Sequence, residues 1–315
     1  MPAPILPADD EDALARAESI LRAGGLVVIP TETVYGLAAD ATNPSAVAKI
    51  FAAKGRPQFN PLIAHVLGLR SAAAQARLSA NAEKLIRAFW PGPLTIVAPR
   101  LEGASVCDLA CAGLNTIALR APHDEAARRL LTMMQVPLAA PSANISGHVS
   151  PTLAQHAAED LADKVDLILD GGPCFVGLES TIVAVPDDGP ATILRLGAIG
   201  AAEIESIIGP TKIARDGDSV SAPGMLARHY APRARLRLNA QSPAPGEAFL
   251  AFGPGSPGAF NLSPRGDLAE AAAKLYGVLR ALDASGAVAI AVAPIPATGL
   301  GAAINDRLQR AAKGR

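Results

Sequence analysis

Short runs of β-branched and other apolar residues alternate with helical segments from the start of the chain to about Gly209, and this alternation restricts the fold class most. It is typical of an α/β or α+β domain. One helix is predicted from an N-cap at Ser45 to about Lys54, and another from about Ser79 to the breaker at residues 90–93. The strands are predicted at residues 26–29, 62–66, 94–97, 116–119, 167–169, 181–185 and 192–196, and residues 136–140 are also strand-like. So many strands in one unit predict a substantial, twisted, mixed α/β sheet.

A second, smaller unit follows a break in this pattern. Periodicity fails at residues 210–232, where Gly, Asp, Ser and Pro predominate, so this stretch is predicted to be a linker. Beyond it, the predicted elements are strands at residues 235–238, 249–252 and 287–293 and helices at residues 267–282 and from residue 302 onward. The predicted organisation is a domain over residues 1–209, the linker, and a small α/β domain over residues 233–315.

Composition excludes several classes of protein. Half of the residues are hydrophobic and 18% are charged, which supplies a buried core and argues against wholesale disorder. The net charge of −1 at pH 7 provides no overall basic field for nucleic acid or an anionic membrane. The uncharged stretch at residues 286–304 contains Pro294 and Pro296, so a buried strand and a loop are predicted there, and no membrane partner is expected.

The cysteines favour a reducing compartment. Cys107, Cys111 and Cys174 are odd in number and form no C-x-x-C pair, so packed thiols are expected rather than disulfides or zinc ligands. The N-terminal sequence has no basic flank before an apolar run and is not expected to be a secretory signal. A cytoplasmic location is therefore expected.

The segment Pro30-Thr-Glu-Thr-Val-Tyr-Gly36 directly follows a predicted buried strand. Its hydroxyl side chains and its carboxylate lie where α/β sheets tend to form ligand crevices. The alternative is that Thr31 and Thr33 cap a turn. Spacing leaves both interpretations open.

Two cations, Lys54 and Arg56, stand at the predicted end of a helix, and the run from Asn60 to His65 follows them. Lysine and arginine together supply the point charge and the planar fork of a phosphate clamp. The alternative is that the cations complement the helix dipole and that His65, alone in an apolar strand, is structural. Taken singly, each of these residues favours the structural interpretation.

Arginines also lie at the ends of two predicted strands, at Arg120 and Arg195. A buried guanidinium is costly without an anionic partner, so each of these arginines is expected to face an anion. Together with the two cations after the helix, they supply about the positive charge that a triphosphate needs. The alternative is internal ion pairing with Glu32 and Glu179.

One sequence match is interpreted as accidental. Residues 253–258 fit the dinucleotide-binding pattern G-x-G-x-x-G, but two of them are prolines without an N–H group and no helix follows. A proline-rich turn is predicted there.

Four features in order resemble one family: the run PTETVYGLAADA, the pair Lys54 and Arg56, the run PLIAH, and the S-x-N of Ser142 and Asn144. They are similar to the YrdC-like family, in particular its two-domain threonylcarbamoyl-AMP synthases, over residues 13–209. Residues 222–232 resemble the segment that joins the two domains in the longer members. The resemblance implies an open, twisted mixed sheet with a positively charged concave cavity, followed by a small Rossmann-like domain.

The resemblance also implies an activity, that of a nucleotidyltransferase. L-Threonine, bicarbonate and ATP would give threonylcarbamoyl-AMP and pyrophosphate, with Mg²⁺ arriving on the ATP phosphates. Chemically, the threonine amine is carboxylated and a carbamate oxygen attacks the α-phosphate. A separate transferase would use the adenylate to modify the adenosine beside the tRNA anticodon.

The resemblance further implies roles for residues of this chain, with Lys54 and Arg56 as the catalytic pair. The residues that match the L-threonine side are Thr33, His65, Arg120, Ser142 and Ser180. The residues that match the ATP side are Lys54, Arg56, Asn60, Thr116, Ser142, Asn144, Thr152, Arg195 and, from the linker, Tyr230. The linker departs from the family pattern at Ala222, Leu226 and Ala227, so looser closure of this lid over the nucleotide is expected.

Two alternatives remain open at this point. One is a double-stranded RNA-binding module of the same fold without synthetic activity, and weak binding of tRNA or double-stranded RNA is compatible with either role. The net charge of −1 and the 3% aromatic content weaken that alternative. The other is a carbamoyl-adenylate enzyme that acts on a different amine.

Overall fold

The computed structural model describes residues 2–215, 222–225, 229–255 and 260–314. The helices are α1 (Glu11–Arg22), α2 (Pro44–Lys54), α3 (Leu69–Ala73), α4 (Ala80–Phe89), α5 (Glu125–Met134), α6 (Ala154–Leu161), α7 (Ala201–Ile208), α8 (Leu268–Ala284) and α9 (Leu300–Ala312). The strands are β1 (Ile5–Pro7), β2 (Val27–Ile29), β3 (Gly36–Asp40), β4 (Ile63–His65), β5 (Leu94–Pro99), β6 (Thr116–Arg120), β7 (Leu138–Ala139), β8 (Leu167–Asp170), β9 (Thr181–Ala184), β10 (Thr192–Arg195), β11 (Lys212–Ile213), β12 (Arg235–Arg237), β13 (Ala248–Leu250) and β14 (Ala289–Val292).

A mixed 11-stranded sheet organises the first part of the chain, in the order β1-β8-β2-β3-β7-β4-β6-β5-β9-β10-β11. Its two faces support separate apolar cores. Val27 and Ile29 contribute to the core beneath α1 and α5, whereas Val28 contributes to the core beneath α2 and α4. Because successive side chains of a strand point to opposite faces, this division follows from the run Val-Val-Ile itself. The predicted mixed α/β sheet is confirmed.

Every strand predicted in the first domain is present to within two residues at each end, but β1, β3 and β11 were not predicted. β3 reads Gly-Leu-Ala-Ala-Asp and is buried along most of its length, so it lacks the alternation that marks a strand. β11 lies inside the predicted linker and pairs with β10. The start of α2 was also predicted wrongly, because Asn43 rather than Ser45 is its N-cap and Pro44 occupies the first turn.

The C-terminal part is a three-stranded parallel sheet in the order β12-β14-β13 with α8 and α9. The strands and helices predicted in this region are all present. Its apolar core is not separate from the first part of the chain. Leu275 and Leu308 belong to one cluster with Val34, Val149 and Leu178. The two parts of the chain therefore pack through a shared apolar core.

Some sequence predictions concern residues beyond those described. Leu226 and Ala227 lie outside the described residues, as does part of the turn predicted at residues 253–258. None of the helices in the described ranges has the length and apolar character needed to cross a membrane. Within the same ranges, no group of three His, Cys, Asp or Glu side chains could hold a metal ion.

Candidate active site

Strand ends bring most of the candidate residues to one cavity. His65 and Arg120 lie side by side, because β4 and β6 pair in parallel with these two residues in register. The segment after β2 and the segment after β7 reach the same region through an isolated bridge between Gly36 and Ser142. The cavity has a volume of about 40 Å³. The candidate residues that line it are Thr33, Arg56, His65, Arg120, Ser142, Ser180, Arg195 and Tyr230.

Lys54, Asn60 and Asn144 do not line the cavity but are connected to residues that do. Lys54 Nζ donates hydrogen bonds to the carbonyl oxygens of Ser142, at 2.5 Å, and of Asn144. Arg56 Nε donates to the carbonyl oxygen of Asn60 at 3.1 Å. All three residues are buried, so they form a layer of polar groups around the cavity.

Thr116 and Thr152 lie apart from the cavity wall. Thr116 begins β6 and Arg120 ends it, so a rise of about 3.3 Å per residue separates their Cα atoms by roughly 13 Å. Thr152 lies near α8, where its Oγ1 would be 3.9 Å from a Cβ built on Gly277. The structure therefore does not bring these two threonines to the cavity, and their role in nucleotide binding stays a prediction.

Three buried cations of the site have no carboxylate partner among the residues that the structure describes. Lys54, Arg56 and Arg195 are 2%, 8% and 7% exposed, and none forms an ion pair with an acidic side chain in the described ranges. Arg56 and Arg195 instead donate hydrogen bonds to carbonyl oxygens, Arg195 chiefly to that of Ser180 at 2.9 Å. Burying a cation without a counter-ion costs several kcal/mol, so this cluster is suited to an anionic ligand.

The electrostatics of these cations agree with that interpretation. Desolvation chiefly, together with the nearby charge of Arg195, lowers the pKa of Arg56 to about 10. Desolvation and the charge of Arg56 likewise hold the pKa of Lys54 well below its ordinary value. An anion bound here would relieve both effects, because it favours the protonated form of each cation.

Arg120 differs from the other cations because it has an acidic partner. Its Nη2 atom lies 2.7 Å from Glu32 Oε1 as a buried ion pair without hydrogen-bond alignment, and its Nη1 atom donates to Thr33 Oγ1 at 2.9 Å. Burial raises the pKa of Glu32, but the charge of Arg120, with hydrogen bonds that include the backbone N–H of His123 at 3.0 Å, outweighs burial and lowers the pKa overall. The internal ion pair left open by the sequence is therefore present for Arg120. Glu179, the other acid considered, pairs with Arg307 and not with Arg195.

Two buried histidines of the site are neutral. Desolvation and the charge of Arg120 lower the pKa of His65 to about 3. Desolvation, together with cations that include Arg56, lowers the pKa of His229 to about 3. At neutral pH both imidazoles therefore offer a lone pair as well as an N–H group.

Buried polar atoms without a hydrogen-bond partner concentrate around the cavity. Native proteins leave few such atoms, and each one calls for an explanation. The unpaired atoms in this region are Asn60 Oδ1 and Nδ2, His65 Nδ1, Asn144 Oδ1, His229 Nδ1 and Tyr230 Oη. Their grouping indicates a site that a polar ligand completes.

The linker covers the cavity. Pro223, Gly224, His229 and Tyr230 contribute to its wall, and Tyr230 is almost fully buried. Ala222 packs in a small apolar cluster on the sheet. The sequence analysis did not single out His229 or Gly224, although both stand in the run that resembles the family linker. The described part of the linker thus closes the site and leaves little free volume.

The fold and this site define a class of protein: a two-domain α/β protein with a cavity lined by buried cations beneath an interdomain linker. The chain belongs to the Sua5/YciO/YrdC family, whose sequence profile, described as telomere recombination, matches residues 19–197. A second profile, described as the threonylcarbamoyl-AMP synthase C-terminal domain, matches residues 199–313.

Individual proteins are similar over nearly the whole chain. The threonylcarbamoyl-AMP synthase of Pyrococcus abyssi is 39% identical over 94% of this chain and 92% of its own length. The enzyme of the same name from Bacillus subtilis is 37% identical over 97% of this chain and 94% of its own. The crystal structure of P. abyssi Sua5 complexed with L-threonine superposes with a TM-score of 0.91 at 37% identity, covering 99% of this chain and 98% of that one. The family resemblance seen in the sequence is confirmed.

Proposed function

We propose that this protein is a threonylcarbamoyl-AMP synthase, a nucleotidyltransferase that converts L-threonine, bicarbonate and ATP to threonylcarbamoyl-AMP and pyrophosphate. The observation that carries the proposal is the buried cluster of Lys54, Arg56 and Arg195, which has no carboxylate partner within the described ranges. The reaction brings together a triphosphate, a carboxylate and a carbamate, all of which are anions. Similarity over both domains to proteins named threonylcarbamoyl-AMP synthase supports the same function.

On the amino-acid side, we assign Arg120 to the carboxylate of L-threonine. Its ion pair with Glu32 and its hydrogen bond to Thr33 fix the guanidinium in one orientation, which favours binding of a planar carboxylate. Neutral His65 adds no charge, and its unpaired Nδ1 is available to the amine or hydroxyl of the substrate. Ser142 and Ser180 complete the assigned set.

On the nucleotide side, we assign Lys54 and Arg56 as the catalytic cations. After the amine is carboxylated, a carbamate oxygen attacks the α-phosphate and pyrophosphate leaves, so negative charge grows on phosphate oxygens. Fixed cations and N–H donors stabilise that charge without reorganising. The remaining residues assigned to the nucleotide are Asn60, Thr116, Ser142, Asn144, Thr152, Arg195 and Tyr230.

Mg²⁺ enters the proposal only as part of the substrate MgATP. The two acidic side chains nearest the site are already engaged, Glu32 with Arg120 and Glu179 with Arg307. The side chains left for the phosphates are cations, amides and hydroxyls. This set does not fit a resident metal site, so the protein's contribution is to bind the phosphates directly.

Substrate entry requires the linker to move. Ligand-binding pockets usually enclose about 300–1,000 Å³, whereas the closed cavity measures about 40 Å³. We therefore propose that the linker opens to admit ATP and closes again with Tyr230 over the nucleotide. The adenylate then passes to a separate transferase that modifies tRNA, which implies a cytoplasmic enzyme.

The test is pyrophosphate release by the purified protein with MgATP, bicarbonate and each amino acid in turn. L-Threonine is expected to support release far better than other amines. The double variant Lys54→Ala, Arg56→Ala is expected to abolish release with an unchanged circular dichroism spectrum. Lys49→Ala, an exposed lysine on the same helix, is the matched control and is expected to retain activity. Release that is absent with every amino acid, or undiminished in the double variant, would refute the proposal.

The RNA-binding alternative finds no support. A module that binds double-stranded RNA contacts backbone phosphates with exposed cations. In this chain the candidate cations are buried around a cavity too small for a duplex. No second function is therefore proposed.

A further inference from the structure

A buried polar cluster joins the C-terminal domain to the edge of the active site. Its centre is Glu179, which lines the cavity and precedes Ser180 in the chain. Glu179 Oε2 accepts hydrogen bonds from Tyr276 Oη in α8, at 2.8 Å, and from Arg307 Nε in α9, at 2.9 Å. Glu179 Oε1 accepts one from Ser150 Oγ at 2.6 Å. The C-terminal domain thus supplies two of the three side chains that hold this carboxylate.

Tyr276 and Arg307 also contact the linker. The rings of Tyr230 and Tyr276 are stacked, with centroids 5.7 Å apart and an angle of 22° between their planes. The guanidinium of Arg307 lies 5.1 Å from the centre of the Tyr230 ring. Arg307 is only 1% exposed, so this cation–π contact is shielded from water and correspondingly strong.

Charge explains why Glu179 needs an arginine from another domain. Glu179 is ionised, because the charges of Arg307 and Arg195 outweigh the opposing effect of burial and lower its pKa to about 2. Without Arg307, the remaining cation that acts on this carboxylate is Arg195. Arg195 would then become its counter-ion and would be lost to the phosphates of ATP.

We propose that Arg307 of the C-terminal domain is a positioning residue for the active site, which neutralises Glu179 so that Arg195 stays available to ATP and which seats Tyr230 over the nucleotide. This inference rests on the proposed function. It assigns to the C-terminal domain a role in ATP binding that neither the sequence pattern nor the shared apolar core requires.

The test compares Arg307→Met with Arg280→Met. Arg280 is the matched control because it also joins the two domains, through Asp160 at 2.8 Å and the carbonyl oxygen of Val149 at 2.6 Å, but it lines a different cavity. Arg307→Met is expected to raise the KM for ATP about 10-fold or more, with the KM for L-threonine changed less than about 2-fold. Arg280→Met is expected to leave both KM values within about 2-fold of the unsubstituted protein.

A rescue experiment separates charge neutralisation from simple docking. If Arg307 acts by neutralising Glu179, adding Glu179→Gln to Arg307→Met removes the unpaired charge, and the KM for ATP is expected to recover to within about 3-fold of the original value. Arg307→Lys, which keeps the charge, is expected to recover most of the affinity as well. Equal effects of Arg307→Met and Arg280→Met, or no recovery in the double variant, would overturn the inference.

Two further measurements keep the outcome decisive. Should Arg307→Met fail to fold, Arg307→Gln removes the charge but keeps a hydrogen-bond donor close to Glu179, and an unchanged KM for ATP in that variant would overturn the inference. The unsubstituted protein is assayed first for pyrophosphate release and, by calorimetry, for ATP binding. Failure of both would refute the proposed function, whereas normal activity without any effect of Arg307→Met would refute this inference alone.

Discussion

Gly224 provides a direct test of linker closure. Its φ is +85°, and a Cβ built on it would lie 2.7 Å from Arg195 Cδ and 3.1 Å from Tyr230 Oη. The Arg195 side chain cannot move aside easily, because its guanidinium is hydrogen-bonded to Ser180. An L-residue in the left-handed region costs about 1–2 kcal/mol, and with the added contact we expect Gly224→Ala to disfavour the closed linker by about 2 kcal/mol. The ratio of closed to open linker is then expected to fall roughly 30-fold.

Hydrogen exchange measures this ratio at Ala231, whose N–H donates to the carbonyl oxygen of Gly147 at 2.9 Å. Exchange at Ala231 is expected to accelerate in Gly224→Ala by roughly the same factor, provided that opening exposes this amide. The matched control is Gly246→Ala, because Gly246 has a φ of +84° and no atom within 4 Å of its built Cβ. Unchanged exchange in Gly224→Ala, or equal acceleration in both variants, would refute the proposed contact between the linker and Arg195.

Three other perturbations have defined outcomes. His65→Asn removes a histidine whose pKa is lowered to about 3 on folding. In the native protein this histidine makes the free energy of unfolding fall as the pH drops from about 6.5 towards 3, and in the variant that fall is expected to be smaller by up to about 1.4 kcal/mol per pH unit in urea titrations. An unchanged slope contradicts this. Glu32→Gln leaves Arg120 without its anion and is expected to lower the free energy of unfolding, measured in urea, by about 3 kcal/mol. Glu18→Gln, which breaks a surface pair, is the control and is expected to lower it by less than about 1 kcal/mol. Gly177→Ala places a Cβ within 2.4 Å of the α8 backbone and is expected to lower the melting temperature by several degrees, so an unchanged melting temperature would mean that the two domains do not meet there.

Local patterns predicted much of the fold and part of the site. Strands such as β5 and β6 are recognisable because apolar and β-branched residues fill consecutive positions. Arg120 was expected at a strand end, and β6 does end there. β3 was missed because small residues buried on both faces carry no alternating pattern. Whether a buried arginine faces an acidic side chain or a ligand depends on which strands become neighbours. The spacing of residues along the chain does not specify those neighbours.

The contact between Arg307 and Glu179 is even harder to predict from the sequence. The two residues are 128 positions apart, and Arg307 stands in an ordinary amphipathic helix where an arginine is usually exposed. Its burial follows only from the docking of α9 against the first domain. Long-range polar contacts of this kind carry no local sequence signal, so they are found only once the domains are placed together.

Leu275 and Leu308 of the C-terminal domain share one apolar cluster with Val34, Val149 and Leu178 of the first domain. Separating the two domains would expose aliphatic side chains on both partners, so we expect that neither half melts independently. Calorimetry is therefore expected to give a single endotherm whose van't Hoff and calorimetric enthalpies agree. If the two domains unfold together, a destabilising substitution in either domain lowers the free energy of unfolding of both. The binding cavity is then affected even by substitutions far from it.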